Sequence, residues 1–226
     1  MRAQSHPAWH AVLTAVIWWL ALQPLPGQAA SLVVTTLANS GVGSLRAAIA
    51  SANNGDVITF AIGGTITNLT GELLIGKNLN IVGPGPSNLA VSGNNASRVF
   101  NVAGGAAVNL SGLTICNGHA RDGAAGTNNV TPGWPGDDGG GIYNSGTLAL
   151  TNCVITRCRS GQGGAGFASP SFPTPSTPSS NGGPGGNGGG ICNAGTLALA
   201  ACTLSFNTNG SGGACGMGHL AILDRR

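Results

Sequence analysis

Residues 139–161, GGGIYNSGTLALTNCVITRCRSG, return 49 positions later as residues 188–210, GGGICNAGTLALAACTLSFNTNG. The two units share GGGI-x-N-x-GTLAL, then Cys153 over Cys202 and Ile155 over Leu204. A sequence that repeats so closely must adopt one conformation twice, and such units bury their apolar faces by stacking on each other. A looser copy, AVNLSGLTICNG at residues 107–118, sets Val108 and Leu110 against Leu148 and Leu150, and Leu113 and Ile115 against Cys153 and Ile155.

Within each unit the apolar residues alternate: Leu148 and Leu150 flank Ala149, and Cys153 and Ile155 flank Val154. A period of two marks strands with one buried face. Two or three strands of a few residues each, turned by Asn, Gly, Ser and Thr and joined by no helix, describe one coil of a solenoid. Parallel crossovers are right-handed, so the expected fold is all-β, a right-handed parallel β-helix. Leu148 and Leu150 should stack on Leu197 and Leu199, and Cys153 on Cys202. Asn144 and Asn193 should stack as an amide ladder at a corner, where asparagine tolerates left-handed backbone. The same texture upstream (57–62, 65–69, 73–75, 79–82, 89–91, 99–102) brings the total to five or six coils.

An open solenoid end needs a cap. Residues 44–53, SLRAAIASAN, place Leu45, Ala48, Ile49 and Ala52 on one helical face, with Ser44 as N-cap and Gly55 as the stop. This helix is expected to cover the first coil. Residues 119–138 and 162–187, rich in Gly, Pro, Ser and Thr, fall between repeat units and read as long mobile loops extruded from the coils.

Arg2 followed by the uncharged run Ala11–Leu22, then Pro24, Pro26 and small residues, reads as a signal peptide over 1–29. At 12 residues the run is too short to span a bilayer, and no later segment is apolar enough to do so. The β-helix domain then occupies 30–213. Residues 214–226 fit no repeat position, and the chain is expected to be truncated or frame-shifted after Gly213. The protein is expected to be secreted, extracellular or at a cell surface, in the outer membrane if a region beyond this chain anchors it.

GSLRAAIASANNGDVITF resembles the N-terminal capping motif of bacterial secreted β-helix proteins, whose signature reads roughly CSLREAI. Gly43 and Ala47 stand where that motif has Cys and Glu. GGGIYN, GGGICN and FNTN resemble the GGA-[ILV] and FxxN repeats of chlamydial polymorphic outer-membrane proteins. The resemblance covers most of the chain after residue 29. It implies a pectin-lyase-like β-helix in an adhesin-like or otherwise uncharacterised surface protein.

Chemistry has little to draw on. Beyond residue 29 the chain carries eight Arg and Lys and six Asp and Glu, with Lys77 the one lysine, and this is no footprint for nucleic acid. Polysaccharide lyases and hydrolases of this fold need clustered carboxylates. The acids are scattered, and Asp137–Asp138, the one adjacent pair, read as a solvated turn. With Asp122 they are the calcium candidates. GELLIGKN at 71–78 fails as a phosphate loop because Asn78 stands where Ser or Thr is needed. His119 and His219 have no nucleophile beside them. The six cysteines include no C-x-x-C pair. Cys153 and Cys202 read as small core residues, a cross-coil disulfide being the alternative. The expectation is therefore a non-catalytic, adhesin-like surface scaffold without catalytic residues or cofactor, meeting glycans or surface and matrix proteins. The alternative is a carbohydrate-binding or carbohydrate-cleaving β-helix.

Overall fold

The computed structural model describes residues 29–128, 131–167 and 180–214. The proposed leader, save its last residue, and the tail with Cys215 and His219 lie outside them. Three all-parallel sheets wrap one core. The first holds β1 (Ser31–Val34), β2 (Val57–Phe60), β5 (Leu79–Val82), β8 (Ala107–Ser111), β11 (Thr147–Thr151) and β14 (Thr196–Ala200). The second holds β3 (Gly64–Thr67), β6 (Leu89–Ser92), β9 (Thr114–Cys116), β12 (Val154–Thr156) and β15 (Thr203–Ser205). The third holds β4 (Leu73–Ile75), β7 (Phe100–Val102), β10 (Ile142–Asn144) and β13 (Ile191–Asn193). From β2 onward the chain visits the sheets in that order on every turn, as a right-handed β-helix does.

Register follows the repeat. Leu148 pairs with Leu197, Leu150 with Leu199 and Ile155 with Leu204, all on adjacent coils. One column of the first sheet runs Ile58, Ile81, Leu110, Leu150 and Leu199; one of the second runs Ile66, Val91, Ile115, Ile155 and Leu204. Every member below the last coil is buried, each contributing about 1.5–3 kcal/mol. Leu199 and Leu204 are both 47% exposed because no further coil covers them among the described residues. Identical sequence thus gives core at Leu150 and surface at Leu199.

The cap is α1 (Leu45–Ser51), with Leu45, Ala48 and Ile49 buried and the Ser44 hydroxyl accepting from Ala47 N. It ends sooner than the sequence suggested. Ala52 is the C-cap in extended conformation, and Gly55, at φ +91°, serves the turn beyond. Asn144 and Asn193 do stack, Asn144 Nδ2 donating to Asn193 Oδ1 at 2.6 Å. They are not at a left-handed corner, however. Asn144 ends β10 and points inward, its amide also donating to Thr196 O and accepting from Gly146 N. Among the described non-glycine residues the left-handed positions belong to Asn94, Asn95, Asn117, Asn152, Arg157, Ala201 and Phe206.

The larger departure concerns the two inserts. Both leave the coil at one corner, between the second and third sheets: β9 to β10 and β12 to β13. Their described parts are not loose. Segments 119–128 and 160–167 run outward, 131–138 and 180–187 return, and 208–214 runs outward again from β15. Each bonds its neighbours at every third residue. Ala120, Gly123 and Gly126 N–H donate to the carbonyls of Arg159, Gln162 and Ala165. Ser160, Gly163 and Gly166 donate to Thr208, Ser211 and Ala214. Gly133, Gly136 and Gly139 donate to Asn181, Pro184 and Asn187. Sideways, Gly161 and Gly164 donate to Asp137 and Trp134, and Gly183 and Gly186 to Gly164 and Gly161. Three residues per turn without internal bonds is polyproline-II geometry. Here five such segments are cross-linked through their backbones into a bundle.

Glycine is required for space in this bundle. A Cβ on Gly123, Gly133, Gly164, Gly183 or Gly213 would collide with a neighbouring carbonyl, and none of these five has positive φ. The logic is that of collagen, where only glycine fits the crowded axis.

Candidate functional site

The bundle gathers charged residues that the linear sequence scatters. Antiparallel pairing of 119–128 with 131–138, through Asp137 N–H to Arg121 O at 2.8 Å, puts Asp122 and Asp137 on adjoining segments at the root of the arms. Asp137 Oδ2 lies 3.6 Å from Arg121 Nε. Asp122 Oδ1 accepts from Gln162 N–H at 2.7 Å and lies 3.0 Å from His119 Nε2. The other nitrogen of that ring, Nδ1, is 3.2 Å from both the Asn95 carbonyl oxygen and Arg159 Nη2. Burial opposes ionisation of Asp122. The Gln162 N–H, His119 and Arg159 outweigh it and hold its pKa below the ordinary carboxylate value.

Asp138 faces a different neighbour, as the next residue of a threefold segment does. Its Oδ1 accepts from Asn187 N–H at 2.6 Å, tying the roots of the two inserts together. The Asp138 and Gly139 carbonyls receive the Arg98 guanidinium, which also pairs with Glu72 and lies 5.3 Å from the Tyr143 ring centre. Glu72 Oε1 accepts from Asn101 Nδ2 at 2.7 Å. Tyr143 and Asn101 are register partners on neighbouring strands, and Cys192 follows in the same column. Burial, followed by the Asp138 carboxylate, pushes the Cys192 thiol up.

The expectation of Asp137 and Asp138 isolated in a mobile loop is therefore corrected: both are anchored. The three calcium candidates do not share a site: Asp122 turns to Gln162 and His119, Asp137 to Arg121 and Asp138 to Asn187. Among the described residues no three His, Cys, Asp or Glu side chains form a group able to hold a metal.

Most of these charged groups serve the chain's own backbone. Asp56 accepts from Ala30 N–H and Asn53 N–H, each at 2.8 Å. Arg46 donates to the Gly71 and Glu72 carbonyls, and Lys77 to those of Ala50 and Ala52 at the C-terminal end of α1. An open groove of about 360 Å³ lies between α1 and β4, lined in part by Arg46, Ile49, Glu72 and Lys77. Its two cations are thus already engaged.

Cys116, Cys153, Cys158, Cys192 and Cys202 are free thiols. Cys153 and Cys158 are core residues, and burial pushes Cys158 up to about 11. The signal that would have exposed the bundle is present in the sequence: glycine every third residue, as at Gly123 and Gly126, Gly133 and Gly136, Gly183 and Gly186. No family model matches the chain, and no curated protein matches it either.

Proposed function

We propose that the protein is a non-catalytic, adhesin-like scaffold of the secreted or cell-surface kind, with the β-helix as a stalk and the glycine bundle as a stiff lateral projection. The observation that carries this reading is the bundle itself. Its arms are held at every third residue by backbone bonds, and its charged roots are spent on N–H groups and carbonyls. Such a construction favours presenting a surface over moving protons, which needs uncommitted acids and bases at a common point. The resemblance of GSLRAAIASANNGDVITF to secreted β-helix caps, and of the GGGI units to chlamydial surface repeats, supports export and a pectin-lyase-like relationship. Glycans or surface and matrix proteins would meet the outward Asn, Ser and Thr of coils and arms through many weak polar contacts.

A carbohydrate-active reading draws on one patch, where Tyr143, Arg98, Glu72 and Asn101 offer a ring, a cation, a carboxylate and an amide on adjoining coils. A binding array of glycans and matrix proteins, run beside an assay on uronic-acid polymers, separates the two. Binding without turnover, reduced when 162–187 is deleted, supports the scaffold. Cleavage of a uronic-acid polymer that is lost on Asp137→Ala or Asp138→Ala overturns it.

A further inference from the structure

The glycine bundle has two unfinished edges. On the edge beside the last coil, the N–H groups of Gly182, Gly185, Gly188, Asn209 and Gly212 have no partner among the described residues. They are the register equivalents of the N–H groups that bond one arm to the next throughout the bundle. On the opposite edge, the carbonyls of His119, Asp122, Ala125, Pro132 and Pro135 accept nothing among the described residues. These are the equivalents of the carbonyls that receive those bonds. Both rows keep the three-residue period, about 9 Å apart along a polyproline-II segment.

We infer that a second copy of this chain docks here, its carbonyl edge on the first copy's N–H edge, so that the glycine bundle continues from one molecule into the next. The interface repeats the one inside the molecule. Segment 160–167 already packs against parallel neighbours (119–128 and 208–214) and antiparallel ones (131–138 and 180–187), so the lattice accepts either direction. A copy turned by half a revolution about the stacking direction lays its 119–128 on 180–187 and its 131–138 on 208–214, with its β-helix on the far side of the bundle. Nothing electrostatic opposes approach at the N–H edge, since residues 188–214 contain no Asp, Glu, Lys, Arg or His. Charged side chains are what usually guard such edges. Because the two faces differ, the contact is head-to-tail and leaves a free row at each end, so it propagates without closing.

Sedimentation velocity of the purified protein over a dilution series, with thiols kept reduced, tests this. The weight-average mass should climb past the dimer as concentration rises, and hydrogen exchange at Gly182, Gly185 and Gly188 should slow in parallel. Gly212→Pro removes an N–H that has no partner among the described residues, and should weaken association at least tenfold at unchanged melting temperature. Gly212→Arg, whose Cβ would meet only the Gly183 carbonyl, at 3.7 Å, should do the same. A monomer at every concentration overturns the proposal. So does a dimer that stops growing, which would point to the apolar end of the last coil, or unchanged assembly of both variants.

Discussion

A methyl group on Gly164 would run into the Ala124 carbonyl, whereas one on Gly212 would meet only the Gly183 carbonyl, at 3.7 Å. Gly164→Ala should therefore destabilise the arms by about 1–3 kcal/mol, the usual cost of overpacking, while Gly212→Ala should stay within about 0.5 kcal/mol. Urea melts followed by exchange at the Gly161 and Gly166 amides measure both. Equal effects would mean that glycine serves the backbone's freedom and not its spacing. Asp56 gives a second residue-level test. The Asn53 and Ala30 N–H groups hold its pKa below the ordinary 3.8. A folded-state pKa below the unfolded one contributes stability that is complete above the unfolded value and is lost as pH falls through the folded one. Melting temperature should drop as pH falls from 3.8 downward, and Asp56→Asn should flatten that part of the profile.

At the scale of elements, α1 buries Ile49 over the first coil. Ile49→Asp forces an unpaired carboxylate into that contact and should cost about 3 kcal/mol or more. A lower melting temperature with earlier light scattering is the expected result; an unchanged soluble monomer would show that the helix covers nothing. The second insert allows a cleaner separation. Gly186 N–H bonds Gly161 O at 2.8 Å, so the chain leaves and re-enters the coil at nearly one point. Deleting 162–187 should keep the sheet circular-dichroism signal, yet strip exchange protection from Gly123, Gly133 and Gly136, whose partners go with it. The strands are legible in the amino-acid sequence because alternation at Leu148 and Leu150 and the 49-residue identity state both face and register. The arms are not, since glycine, proline and serine in bulk resemble disorder unless the three-residue phase of the glycines is followed. The helix end is hidden for a smaller reason: Ala52 closes the helix in extended conformation, without a glycine.

Taken whole, the molecule is a stack in which each coil depends on its neighbours, so stability should grade along it. Amides of β13, β14 and β15, where Leu199 and Leu204 stand half open, should exchange fastest, and those of β5 to β9 slowest. Uniform exchange would point to one cooperative unit. That asymmetry is not legible in the repeat, because burial depends on what lies above a residue and two identical units can differ only in their neighbours. The acidic residues show the same limit. Asp122 and Asp137 come together only because two glycine segments run antiparallel, a fact of tertiary pairing. The bundle also has a thermal consequence. It is assembled from peptide groups with little apolar side chain between them, and exposing polar surface lowers heat capacity where exposing apolar surface raises it. The β-helix core must lose part of its driving force in the cold, while the arms have almost none of that kind to lose. Cooling should leave the projection the firmer of the two parts, and warming should loosen it first.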